Sequence, residues 1–179
     1  MNIKLVGFTG SLREKSFNMS ALKAAKELLP MGVTFDILDL SDIPFFNEDI
    51  EDNIPESVKE FIEKIIESDG IVISVPEYNY SIPPVLKNAL DWASRSMDMP
   101  LSGKPLAIMS ASPSLFGGSR VQYHLRQVCV RLNLLPLNDP EVFIMKAHEK
   151  FDEQGNLIDE STKTVIEKLM NALIKEINK

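Results

Sequence analysis

Residues 10–18 read Gly-Ser-Leu-Arg-Glu-Lys-Ser-Phe-Asn, a set of residue types suited to binding an anion. Ser11, Ser16 and Asn18 carry short side-chain donors, and Arg13 can add a charge-assisted contact. A helix starting just beyond this loop would contribute unpaired first-turn amides and a partial positive charge, which suit a phosphate. Hydrogen bonds to a charged group contribute roughly 1.5–3 kcal/mol each, so several together can hold a phosphomonoester. No Gly-Lys-Ser/Thr closes the loop, so it is not a Walker A motif. Gly7 and Gly10 lack the further glycines of a dinucleotide fingerprint. A polar strand–helix turn with a serine cap uses the same residues, and residue types alone leave both readings open.

Two further stretches have a composition that suits ligands. Residues 76–84, Pro-Glu-Tyr-Asn-Tyr-Ser-Ile-Pro-Pro, form a stiff wall with an aromatic face, against which a flat heteroaromatic ring can lie. An oligomer contact would use the same tyrosines. Residues 112–120, Ser-Pro-Ser-Leu-Phe-Gly-Gly-Ser-Arg, pair a glycine doublet that permits close backbone approach with Ser119 as a helix cap. Other reactive side chains read as structural. His124 and His148 have no metal-ligand spacing, Cys129 sits among helical apolar residues, and Trp92 lies on an amphipathic helix. The acidic residues of 48–52 read as a solvated loop.

Hydrophobic periodicity shows what must position these loops. Ile3–Thr9 is a buried strand, Met19–Leu29 a helix, Val33–Leu40 an alternating strand and 56–68 a helix. The purely apolar Ile71–Val75 is the clearest buried strand, followed by a helix over Val85–Arg95 with a proline in its first turn. Pro105–Ala111 is a fourth strand and Ser119–Leu132 a fourth helix. Leu134–Ile144 holds a fifth strand interrupted by Pro136 and Pro140, and Thr162–Ile177 is a terminal amphipathic helix. Five alternations of strand and helix predict an α/β fold with a doubly wound five-stranded parallel sheet, helices on both faces, and one domain over 1–179. The flavodoxin-like order or a Rossmann half satisfies this pattern, and either places ligands beyond the carboxyl ends of the strands. The three loops singled out above follow strands one, three and four.

The formal net charge of −7 argues against a nucleic-acid partner, which needs a basic face. A single cysteine excludes an intrachain disulfide and fits a reducing compartment. With no signal-peptide pattern at MNIKLVGF and no apolar run near ~20 residues, the expectation is a cytoplasmic protein without a membrane partner.

Three stretches carry a family resemblance: GSLREKSFN at 10–18, PEYNYSIPPVLKNALDWASR at 76–95 and GGSRVQYHLRQ at 117–127. Together they resemble the NADPH-dependent FMN reductases, a group of flavodoxin-like fold that includes bacterial chromate, quinone and azo reductases. The resemblance implies FMN as cofactor and NADPH or NADH as donor. It also implies small-molecule acceptors such as quinones, azo compounds, flavins or metal oxyanions. By that likeness Ser11, Arg13, Ser16 and Asn18, with the amides of Leu12 and Phe17, would hold the FMN phosphate and ribityl chain. Glu77, Tyr78, Asn79 and Tyr80 would border the isoalloxazine, with Ser112 approaching from the third loop. A homodimer or homotetramer is implied, with Tyr80, Arg120, Tyr123 and Glu141 at positions suited to a contact between subunits. Pro84 departs from the small glycine that relatives often carry and is expected to stiffen or narrow the pocket edge. The competing reading is a flavodoxin-like electron carrier or regulatory protein without steady NAD(P)H turnover.

Overall fold

The computed structural model describes residues 2–179. Its sheet has the order β2-β1-β3-β4-β5, all neighbours parallel, with β6 also pairing with β4. The strands are β1 (Ile3–Thr9), β2 (Val33–Ile37), β3 (Gly70–Ser74), β4 (Pro105–Ala111), β5 (Leu135–Pro136) and β6 (Val142–Ile144). The helices are α1 (Phe17–Glu27), α2 (Glu56–Glu67), α3 (Pro84–Arg95), α4 (Ser119–Leu132) and α5 (Glu160–Ile177). This is the flavodoxin-like doubly wound arrangement, in which strand order reverses between β1 and β3.

Strand alternation divides the apolar residues between two cores. Val6, Phe8, Ile71, Ile73, Leu106 and Ile108 face α2, α3 and α4. Leu5, Val72, Ala107 and Met109 face α1 and α5. Both faces of the sheet are therefore dry, as parallel strands without a solvated side require. Trp92 is fully buried on α3, where its Nε1 donates to the Pro44 carbonyl at 2.7 Å and its ring meets Phe46 edge-on at 5.0 Å. Cys129 is buried in the same core, and burial pushes its thiol pKa up to about 11, so it is inert packing.

The structure redraws three boundaries. The expected strand Leu134–Ile144 divides into β5 and β6, because Pro136 and Pro140 have no amide to give the ladder and the chain leaves β4 between them. β2 stops at Ile37 rather than Leu40, where the Asp39 carboxylate accepts from the Ser41 amide and turns the chain. α1 begins at Phe17, two residues before the expected Met19, because Ser16 is its cap and accepts from the Met19 amide at 3.2 Å. The acidic 48–52 region is not wholly loop: Glu48–Asn53 forms a 3-10 turn, and Glu51 accepts two hydrogen bonds from Arg95.

Candidate functional site

β1 and β3 end in a buried hydroxyl residue and β4 carries one at its penultimate position, and each hydroxyl ties down the chain that follows or a neighbouring loop. Thr9 Oγ1 accepts from the Ser11 amide at 3.3 Å. Ser74 Oγ donates to Asn18 Oδ1 at 3.0 Å, and Ser110 Oγ donates to the Gly117 carbonyl at 2.6 Å. Asn18 completes the tie. Its Nδ2 donates to the Ala111 carbonyl and its Oδ1 accepts from the Ala111 amide, both at 2.9 Å. One side chain therefore fastens the start of α1 to the carboxyl ends of β3 and β4. Gly10 brings the first and second loops together, because a Cβ there would lie 2.8 Å from Leu86 Cβ and 2.9 Å from Pro83 Cβ.

The first loop presents an unusual run of free donors. Among the described residues, the amides of Leu12, Arg13, Glu14, Lys15, Phe17 and Asn18 have no acceptor within the chain, the Ser16 amide faces the turn at Glu14–Lys15, and Ser11 and Met19 on either side are satisfied. Asn18 is itself buried, and buried amides are almost always paired. Such a run at a helix start fits a bound phosphate oxygen set. Ser16 Oγ accepts from the helix, which leaves its proton free to donate. Arg13 is exposed, its guanidinium 5.6 Å from the centre of the Phe17 ring, and Phe17 stacks on Phe151 at 5.9 Å. Leu12 is exposed and Ser11 half-buried.

In the second loop, Tyr78 and Ser81 exchange both backbone hydrogen bonds, at 3.1 and 3.0 Å, around Asn79 and Tyr80. The two central residues have φ of 51° and 66°, the left-handed pair of a two-residue hairpin turn. Asn tolerates this region, whereas a bulky Tyr there costs about 1–2 kcal/mol. A cation–π contact offsets the cost, with the Arg120 guanidinium 3.8 Å from the Tyr80 ring centre and 4.5 Å from that of Phe116. Arg120 is fixed in turn by Glu77, whose Oε1 accepts from Nε at 2.9 Å and whose Oε2 accepts from the Val121 amide at 3.3 Å. Glu77 thus sits at the amino terminus of α4, where a carboxylate is favoured. Ser81 Oγ and His124 Nδ1 lie 2.9 Å apart, a second tie between the hairpin and α4.

In the third loop, Gly118 has φ of 81°, and a Cβ there would sit 2.8 Å from Ser110 Cβ. The Ser112 amide donates to the Ile144 carbonyl, its carbonyl accepts from Ala147, and its hydroxyl bonds Ser114. Pro84 is exposed at the first position of α3, while Pro83 is the residue that meets Gly10.

The sequence-predicted residues therefore gather at one end of the sheet, though not all with free side chains. The amide group of Asn18 and the carboxylate of Glu77 are engaged within the fold, so the donor each offers a ligand is its backbone. Arg120 bonds within its own chain rather than standing free. Sequence reasoning missed Thr9, Ser74 and Ser110, although a hydroxyl at or next to the end of each strand was the available signal.

The NADPH-dependent FMN reductase family profile matches residues 3–149. The chain belongs to this family. An NAD(P)H-dependent FMN reductase of Pseudomonas aeruginosa is 47% identical over 173 residues, covering 96% of this chain and 94% of that protein. A quinone reductase of Escherichia coli K12 is 41% identical over 164 residues, covering 89% of this chain and 87% of that protein. The solved structure of FerB, a flavoenzyme NAD(P)H:(acceptor) oxidoreductase from Paracoccus denitrificans, superimposes with a TM-score of 0.90 at 30% identity. It covers 98% of this chain and 97% of its own. As a family member the protein is an FMN-dependent oxidoreductase with NAD(P)H as electron donor. The unpaired amides within 12–18 meet the requirement that such a cofactor carries, a site for one terminal phosphate.

Proposed function

We propose that the reductase passes two electrons from NAD(P)H to quinones and to other small oxidants (azo compounds, free flavins or metal oxyanions) at one site in alternate half-reactions. The run of amides from Leu12 to Asn18 carries this reading, because it gives the flavin phosphate an anchor beside loops of aromatic character. The relatives named as FMN and quinone reductases support the choice of acceptor class. The chemistry that FMN supplies when bound is reversible hydride acceptance, and the protein contributes position and electrostatics.

In this reading Ser11, Leu12, Arg13, Ser16, Phe17 and Asn18 hold the phosphate and ribityl chain, the last three partly through α1's first turn. Tyr78, Asn79 and Tyr80 border the ring, with Ser112 at the third loop. Glu77 and Arg120 keep the strained hairpin in place, and no protein side chain need act as acid or base. The whole of 1–179 serves as one cofactor-binding domain.

Exposed Tyr80, Phe116 and Tyr123 beside the site support association into a homodimer or homotetramer. No helix among the described residues is long and apolar enough to cross a membrane. One buried cysteine and no candidate disulfide support a cytoplasmic location.

Initial rates with varied NADPH and a benzoquinone test the alternate half-reactions. Parallel double-reciprocal lines are expected. Lines that intersect would show both substrates bound together and would overturn the single-site scheme.

A further inference from the structure

Beside the phosphate loop, on the outer side of α1, a cavity of about 530 Å³ opens against the segment that follows β6. Its far wall is a tight hairpin over 151–157, held by the Phe151–Leu157 bridge and by the Asp152 carboxylate. Arg13, Lys15 and Lys23 line it, all exposed, and none joins an ion pair among the described residues. With Arg13 given to the cofactor phosphate, Lys15 and Lys23 remain free, two uncommitted cations in one cavity of a chain of net charge −7. The volume is that of a small-molecule site and far exceeds what one phosphate needs.

Carboxylates in the same cavity narrow the ligand. Asp152 is committed to its own turn, since Asn156 Nδ2 and the amides of Asn156 and Gln154 all donate to it, and those bonds lower its pKa. Glu14 and Glu153 remain free acceptors on exposed residues. Cations beside free carboxylates suit a phosphorylated sugar, whose phosphate needs the first and whose hydroxyls need the second. A bare anion would be repelled by the carboxylates. The cavity also shares Arg13, Ser16 and Phe17 with the loop assigned to the cofactor, so its occupant lies next to the flavin site.

We propose that this cavity takes the 2′-phosphoadenosine end of NADPH, with Lys15 and Lys23 on the 2′-phosphate and Glu14 or Glu153 on a sugar hydroxyl. The inference rests on the oxidoreductase reading above and deepens it, because it assigns the nucleotide preference to named residues. NADH lacks the group these lysines meet. An acidic protein repels the extra phosphate of NADPH unless local cations answer it.

Calorimetric titration of the FMN-loaded protein with 2′,5′-ADP, 5′-AMP and inorganic phosphate tests the assignment. The expected result is 2′,5′-ADP bound at least ~10-fold more tightly than 5′-AMP, with inorganic phosphate weaker than both. Lys15→Gln combined with Lys23→Gln abolishes that preference while the bound-flavin spectrum stays unchanged. Equal affinity for 2′,5′-ADP and 5′-AMP overturns the proposal, as does a double variant that keeps the preference. Failure of the oxidoreductase reading looks different: neither NADH nor NADPH bleaches the flavin, whatever the titration shows.

Discussion

Asn18→Ala destabilises the protein by about 3–5 kcal/mol, on the general cost of buried polar groups left unpaired. Its side chain meets the amide and the carbonyl of Ala111 and the hydroxyl of Ser74. Alanine removes three hydrogen bonds and places no polar atom in the gap, which is 93 residues distant in sequence from the strand end it serves. The backbone groups of Ala111 are then orphaned beside a dry core, at roughly 1–3 kcal/mol each. Urea unfolding checks the number, with a lower midpoint and an unchanged slope. Asn18→Asp is the sharper variant, since it preserves the acceptor for Ser74 but presents a carboxylate to the Ala111 carbonyl. A loss below about 1 kcal/mol for the alanine variant would mean that solvent replaces these bonds.

Glu77→Ala has the second-largest expected effect, and its main consequence is functional. The carboxylate is nearly buried, with a side-chain exposure of 10%, and joins the third strand's loop to α4 through Arg120 and the Val121 amide. Removing it frees a guanidinium that otherwise holds the Tyr80 ring in a left-handed backbone turn. The expected stability loss is about 2 kcal/mol, the lower part of the range for hydrogen bonds to a charged group, because Arg120 is partly exposed. Quinone reductase kcat/KM is expected to fall about 10-fold or more, as small misplacements at a reacting site do. Glu77→Gln retains an acceptor for Val121 and restores most of the stability but not the ion pair. Wild-type kcat/KM in Glu77→Ala would show that the hairpin holds without Arg120.

Much of this was readable in the chain. Predominantly apolar runs at Ile3–Thr9 and Pro105–Ala111 gave strands whose ends agree with the structure, because central parallel strands are buried on both faces. The alternation of strand and helix carried the doubly wound class with it but left the flavodoxin-like order and a Rossmann half both open, and the structure has the former. Less legible were features set by long-range contacts. Ser16 and Asn18 are equally good caps by type, and only the pull of Ala111 on Asn18 leaves Ser16 to cap α1. The division of the last strand depended on where Pro136 and Pro140 fell against β4. Glu77 reads as a ring neighbour in the primary structure, yet its carboxylate turns to the amino terminus of α4, 44 residues further along. The lysines of the outer cavity carried no signal in sequence, since Lys15 and Lys23 line one cavity with the 151–157 hairpin only once α1 is packed.

The central claim is that the 12–18 amides anchor a flavin that NADPH reduces. Its most direct test is an anaerobic NADPH titration of the purified, desalted protein, followed by its visible spectrum. Retention of flavin absorbance near equimolar with the chain, bleached by about one equivalent of NADPH and restored by a quinone, is the predicted result. A protein that stays colourless after incubation with FMN, or one whose bound flavin NADPH leaves oxidised, would contradict it.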